Sequence, residues 1–150
     1  MRGLIVRTNY LYSKDIRKST WPEDISDYSN FDKKPKEFSN VINLWICIEK
    51  EDKEQYLKSL IKRIKDLNKQ FYKLNHIVVL PFAHLSNNLA HPQKSRELLS
   101  KLVDLLKKEK FQVDIISFGT HKNFNFEMPG QPAAVSYFEF PYLGKKPKVN

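Results

Sequence analysis

Two short stretches of this 150-residue chain carry side chains able to do chemistry. In the first, Leu80-Pro81-Phe82-Ala83-His84-Leu85-Ser86, an apolar run ends on a proline and is followed at once by an aromatic ring and an imidazole. Ile77, Val78, Val79 and Leu80 form the continuous apolar run expected of a strand buried on both faces. Pro81 has no N–H to give, so the ladder should stop there. His84 then falls near the end of a central strand, where open sheets present backbone groups and titratable rings to ligands. The second stretch, Phe118-Gly119-Thr120-His121-Lys122, closes the next predicted strand. A right-handed crossover would set the two strand ends side by side, so His84 and Lys122 are expected to share one cleft. Taken singly, His84 and Lys122 read as surface residues, and His121 is balanced between a solvated and a functional role.

The elements that must position these groups follow from hydrophobic period. Leu4, Ile5 and Val6 read as a first strand, and Val41 to Glu49 as a second. In the second, Leu44, Ile46 and Ile48 share one face while Asn43, Trp45 and Cys47 share the other. Between them, residues from about Ser13 to Asn40 hold Pro22, Pro35 and several Asp and Ser, which predicts a long irregular excursion. Tyr56, Leu57, Leu60, Ile61, Ile64, Leu67 and Phe71 have helical spacing, with Lys58, Lys62, Lys65 and Lys69 on the opposite side. Pro92 is suited to open a second helix, whose inner face is Leu98, Leu99, Leu102, Val103, Leu105 and Leu106. A strand over 111–118 is predicted to turn Val113 and Ile115 one way and Ile116 and Phe118 the other. Extended segments at 122–127 and 133–140 flank the turn Pro129-Gly130-Gln131-Pro132. The class is α+β, a mixed sheet with two helices packed on it. Trp45 reads as core rather than as a platform for a base.

Composition narrows the partners. With 41% apolar residues the chain can bury one core, and residues 1–143 read as one domain with 144–150 a basic linker or tail, leading to further domains if the protein is longer. The 26 Lys and Arg against 17 Asp and Glu give a net charge of +9, which fits either a nucleic-acid partner or a lysine-rich solvated surface. No apolar run approaches the roughly 18 residues of a membrane span, and no signal peptide is visible, so the expectation is cytoplasmic with no membrane partner. The single Cys47 reads as a small buried hydrophobe in a reducing compartment. The four histidines lack zinc-site pairings, so no metal or other cofactor is expected. A Walker loop, a dinucleotide fingerprint and a Gly-x-Ser-x-Gly elbow are all absent from the sequence. Ser86, following a strand, reads as a cap rather than a nucleophile.

The block Pro81 to Pro92, continued by Arg96-Glu97-Leu98-Leu99 and by Phe118 to Phe124, closely resembles the N-terminal editing domain of archaeal threonyl-tRNA synthetases. Met1-Arg2, Val41 to Lys50 and Gly130-Gln131-Pro132-Ala133 match in order and spacing. The resemblance implies a D-aminoacyl-tRNA deacylase-like fold, a homodimer, and hydrolysis of serine wrongly esterified to threonine tRNA. It implies catalytic roles for Lys122 and His84, and substrate contacts from Pro81, Phe82, Ala83, His84 and His121. The backbone near Leu44 and Trp45 would line the same pocket. It further implies as partners the tRNA acceptor end carrying serine and a synthetase catalytic core, in cis or in trans. The family often carries a glutamate where this chain has Val135, which leaves Glu127 and Glu139 as the nearby carboxylates. Two alternatives stay open. One is a D-aminoacyl-tRNA deacylase, although its Ser-Gln-Phe-Thr and Gly-Pro-Val-Thr segments are missing; the other is a non-catalytic tRNA-binding module, to which Val135 lends weight.

Overall fold

The opening strand is far longer than its apolar centre. In the computed structural model, which describes residues 1–142, β1 spans Arg2–Lys18 and pairs antiparallel with β2, Lys36–Cys47, along most of its length. The excursion between them is therefore confined to about residues 19–35, with one helical turn, α1 (Ile25–Tyr28). The expected loop from Ser13 to Asn40 is corrected at both ends. Its strand character escapes a hydrophobicity reading because the inward residues at the end of β1 are polar: Ser13 is 3% exposed and Asp15 6%. Asn40, with φ 53°, marks an irregularity in β2. Phe38 beyond it, with its cross-strand partner Leu11, joins Val41 in the same apolar cluster although Phe38 differs from Val41 in parity along β2.

The remaining elements are α2, Gln55–Leu67, prolonged by a wider turn to Tyr72; β3, His76–Pro81; and α3, Pro92–Lys108. They are followed by β4, Gln112–Ile115; β5, Thr120–Glu127; and β6, Val135–Glu139. Pro92 is the first residue of α3, as its missing N–H favours. The preceding His91 caps the helix, its Nδ1 accepting from the Gln93 N–H at 3.2 Å. The sheet order is β4-β3-β2-β1-β5, with β6 also on β1. β2, β3 and β4 run parallel to one another. The expected α+β class, a mixed sheet carrying two long helices, is what forms, with α1 as a short third.

Two apolar cores lie on opposite faces of this sheet. On the first, α2 and α3 bury Leu57, Leu60, Ile64, Leu98 and Leu102 against Ile5, Leu44, Ile46, Ile77 and Val79. On the second, Leu11, Val41, Val78, Leu80 and Ile116 gather Phe38, Trp45, Phe82 and Phe124. β3 faces a core on each side, which is why its run is continuously apolar. The alternation predicted after Phe111 fails beyond Ile115. β4 ends there, and Ile116 enters the second core while Phe118 packs against the first, so the two do not share a face.

The start of β1 is fixed by charge as well as by packing. The Met1 ammonium donates to Asp52 and, at 2.9 Å, to the carbonyl of Phe140. It also lies 3.2 Å from Glu49, whose other carboxylate oxygen accepts from Arg2 at 2.9 Å. Burial alone would raise the Glu49 carboxyl, but the Ser86 hydroxyl, the ammonium and Arg2 outweigh it and hold Glu49 below its ordinary 4.5. A carboxyl depressed in the folded state adds stability above its unfolded value and loses it as pH falls through the folded one. The stability gap between the natural chain and Glu49→Gln should therefore narrow as pH drops below about 4.5, read by urea unfolding at successive pH values; a gap constant with pH would remove charge as its cause. Beside this knot, a Cβ on Gly3 would overlap the Trp45 carbonyl and come within 2.6 Å of the Phe138 ring. Because backbone cannot yield cheaply, Gly3→Ala should cost about 2–3 kcal/mol in the same measurement.

Candidate functional site

β3 breaks where a proline takes the place of a donor, and the chain keeps contact with β2 for one residue more: Phe82 N–H donates to Ile46 O at 2.9 Å. Ala83–Leu85 then make a single 3₁₀ turn. His84 is exposed on it, its ring 5.1 Å from that of Phe82 in an edge-on contact. The turn borders a cavity of about 600 Å³ whose walls include Arg2, Glu49, His84, Ser86, Asn88 and Phe140. Ala83 is exposed, and its carbonyl lies 3.9 Å from the buried Cys47 thiol. Burial pushes that thiol up to about 11, with the Glu49 carboxylate adding to the shift, so Cys47 is protonated at neutral pH and is no nucleophile.

Lys122 belongs to β5 rather than to the end of β4. The adjacency expected of β3 and β4 is present, with Val79 paired to Ile115, but the chain then crosses to the far side of β1 before Lys122 appears. Its ammonium donates to Thr120 O at 3.2 Å. Desolvation lowers the Lys122 pKa, against the opposing pull of the Asp15 carboxylate. Asp15 is in turn held by the Thr120 hydroxyl and by the Asp32 N–H, each at 3.0 Å. Lys122 is thus partly desolvated with the Asp15 carboxylate close by, a setting in which a positive charge at Nζ would act strongly on a ligand.

Trp45 stands between these two groups. Its ring centroid is 5.0 Å from Phe82, 5.8 Å from Phe124 and 5.3 Å from Phe126, and its Nε1 donates to Asn43 Oδ1 at 2.5 Å. Phe124 and Phe126 share the β5 face of Lys122 by strand alternation. His84 and Lys122 therefore mark two ends of one sheet face, joined through Phe82, Trp45 and Phe124. Among the described residues no hydrogen bond or ring contact joins them directly, and Lys122 is not in the wall of the 600 Å³ cavity.

Other residues singled out from sequence are placed less centrally. His121 is exposed and alternates away from Lys122. The Leu44 side chain is wholly buried in the helix-side core, and its backbone lies between Ile5 and Val79. Val135 is 44% exposed on β6. Glu127 accepts from Asn9, and Glu139 from the Tyr137 hydroxyl, each at 3.1 Å. Two groups that bear on the site were missed: Asp15, hidden in what read as a loop, and the Glu49 to Ser86 contact at 2.5 Å. Alternation of Ser13 and Asp15 with Lys14 was the available signal for the first; none existed for the second. No group of three or more His, Cys, Asp or Glu among the described residues could hold a metal ion.

This geometry can be set beside known proteins. A solved structure titled c-Myc DNA Unwinding Element Binding Protein superposes with a TM-score of 0.67, at 10% identity, over 95% of this chain and 100% of that one, a likeness of fold alone. That likeness agrees with the α+β class, a mixed sheet with helices packed on it, expected from the sequence. The threonine–tRNA ligase of Thermococcus kodakarensis is 33% identical over 138 residues, which are 89% of this chain and 21% of that protein. That of Nanoarchaeum equitans is 30% identical over 135 residues, 89% of this chain and 21% of the relative, and that of Methanococcus aeolicus 28% over 134, 88% and 20%. The chain thus spans about a fifth of the length of the relatives it matches. The family model described as the archaea-specific editing domain of threonyl-tRNA synthetase matches residues 1–139. The chain belongs to that editing-domain family.

Proposed function

We propose that the chain removes serine from mischarged threonine tRNA by hydrolysing the aminoacyl ester, acting in the cytoplasm with a threonyl-tRNA synthetase core in cis or in trans. The observation that carries the reading is the family match over residues 1–139, which includes both the Pro81 to Ser86 turn and Lys122. An aminoacyl ester is already activated, so cleavage needs a placed water and stabilisation of a developing oxyanion. The desolvated Lys122 ammonium suits the second task. Of the two backbone donors that the turn could add, Phe82 N–H is engaged by Ile46, which leaves Ala83 N–H. His84 orients the substrate or the water, and the terminal ribose 2′-hydroxyl of the tRNA assists the attack. A pocket walled by backbone discriminates serine from threonine by excluding one methyl group, worth about 1–3 kcal/mol.

The lysines on the exposed face of α2 are poorly suited to meet the acceptor stem. Lys62 and Lys65 are paired with Asp66 and Glu109, and α2 covers the sheet face opposite Trp45. Lys18, in register with Thr120, falls on the Lys122 face of β5 and is better placed, whereas Lys14 and Arg17, in register with Asn123 and His121, alternate to the other face. The basic residues at 145–148 lie outside the described residues, as does the proposed linker.

An open apolar row supports the homodimer. Tyr137, Leu4 and Trp45 are cross-strand neighbours, and Val135 at 44%, Tyr137 at 43% and Phe126 at 38% leave large apolar area in water. A second copy would cover this row. Tyr137→Lys should then shift the species in sedimentation equilibrium from dimer to monomer; a natural chain that is itself monomeric would end this part of the reading.

The catalytic reading is tested by incubating the chain with threonine tRNA charged with serine, threonine or a D-amino acid. Selective loss of serine is expected, and Lys122→Ala should slow it on the order of 100-fold with the fold intact. D-selective loss would instead favour the chirality-proofreading alternative, and binding without turnover a tRNA-binding module.

A further inference from the structure

Among the described residues no hydrogen bond holds the His84 ring. Its ring touches Phe82, and the turn beneath it closes through one long hydrogen bond, Ser86 N–H to Ala83 O at 3.4 Å. What fixes the turn is the end of β2. Phe82 N–H reaches Ile46 O at 2.9 Å, Lys50 N–H reaches Asn88 O at 3.2 Å, and Ala90 N–H reaches Ile48 O at 3.1 Å. Between these backbone ties runs a side-chain relay. The Ser86 hydroxyl donates to Glu49 Oε1 at 2.5 Å and accepts from the Asn88 N–H at 3.0 Å. Glu49 itself is immobilised, since Arg2 bonds the same oxygen and the Met1 ammonium lies 3.2 Å from the other. A charge-assisted hydrogen bond from the Ser86 hydroxyl to a carboxylate fixed on two further sides is a strong local restraint on the turn.

We infer that Glu49 is a positioning residue for His84: through Ser86 it carries the rigidity of the β1–β2 pairing into the Ala83–Leu85 turn and sets the imidazole before substrate arrives. The inference rests on the reading of that turn as part of the deacylation site. Displacement of a reacting group by about 1 Å costs on the order of 100-fold in rate, so a restraint of this kind is felt in turnover. Asn88 adds a second, exposed tie to Glu51 at 2.7 Å, which does not pass through Ser86 and leaves the relay separable.

The test uses Glu49→Gln, Ser86→Ala and the double variant of the full chain. Amide hydrogen exchange over residues 82–90 should accelerate on the order of tenfold in each single variant, with amides of β2 at 41–46 unmoved, and the double variant should exchange no faster than Glu49→Gln. With seryl-tRNA as substrate, kcat should fall on the order of tenfold at nearly constant KM. Should Glu49→Gln fail to fold, Ser86→Ala alone carries the comparison, because it leaves the Met1 and Arg2 contacts in place. Unchanged exchange over 82–90, or additive effects in the double variant, would overturn the inference. So would lowered melting temperatures with an unchanged kcat, which would make Glu49 a structural residue only. A natural chain that hydrolyses no ester would refute the site reading instead, while the exchange data still decide whether Glu49 governs the turn.

Discussion

Everything in this structure depends on β1 having two backbone edges and three partners. One edge is taken by β2 from Arg2 to Ser13, and the other is divided between β6 at Arg2–Val6 and β5 at Tyr10–Lys18. Each of these pairings satisfies donors and acceptors that would otherwise be buried unpaired. The divided edge brings β5, and Lys122 with it, to the same sheet as the β3 turn. It also demands close approach at the start of the strand, where Gly3 passes against the Trp45 carbonyl with no room for a side chain.

The two faces of β2 separate two tasks. Leu44 and Ile46 pack under the helices, while Asn43 and Trp45 face the second core and the candidate site. The Asn43 amide spans β2 and β3, donating to Val78 O at 3.0 Å while receiving the Trp45 indole. A buried amide with both its nitrogen and its oxygen hydrogen-bonded fixes the ring that stands between His84 and Lys122. The site therefore inherits its geometry from the sheet rather than from flexible loops.

What could be read from sequence was what hydrophobic period encodes. β3, both long helices, the two faces of β2 and the Pro92 start of α3 follow from apolar spacing and from the missing proline donor. The ends of β1 and β2 were not legible, because Ser13 and Asp15 are polar residues on an inward face, and Asn40 breaks the strand's alternation. Lys122 was legible as a candidate but its place was not. The crossover rule governs parallel strands joined by a helix, and β5 leaves that pattern to pair with β1. The Glu49 to Ser86 relay joins residues 37 apart through side chains alone, and no periodic pattern carries such a contact.

The order in which the strands are made has a consequence for how the chain comes off the ribosome. Within this domain β1 comes first in chain order, yet two of its three partners, β5 and β6, come last. Until they emerge, β2 alone covers one side of β1, and the other side presents an unpaired edge next to the apolar row at Leu4 and Val6. An uncovered strand edge of this kind invites pairing with other chains. The edge of β1 at Arg2–Val6 is thus closed only by Val135–Glu139, the strand most distant from it in the domain's chain order.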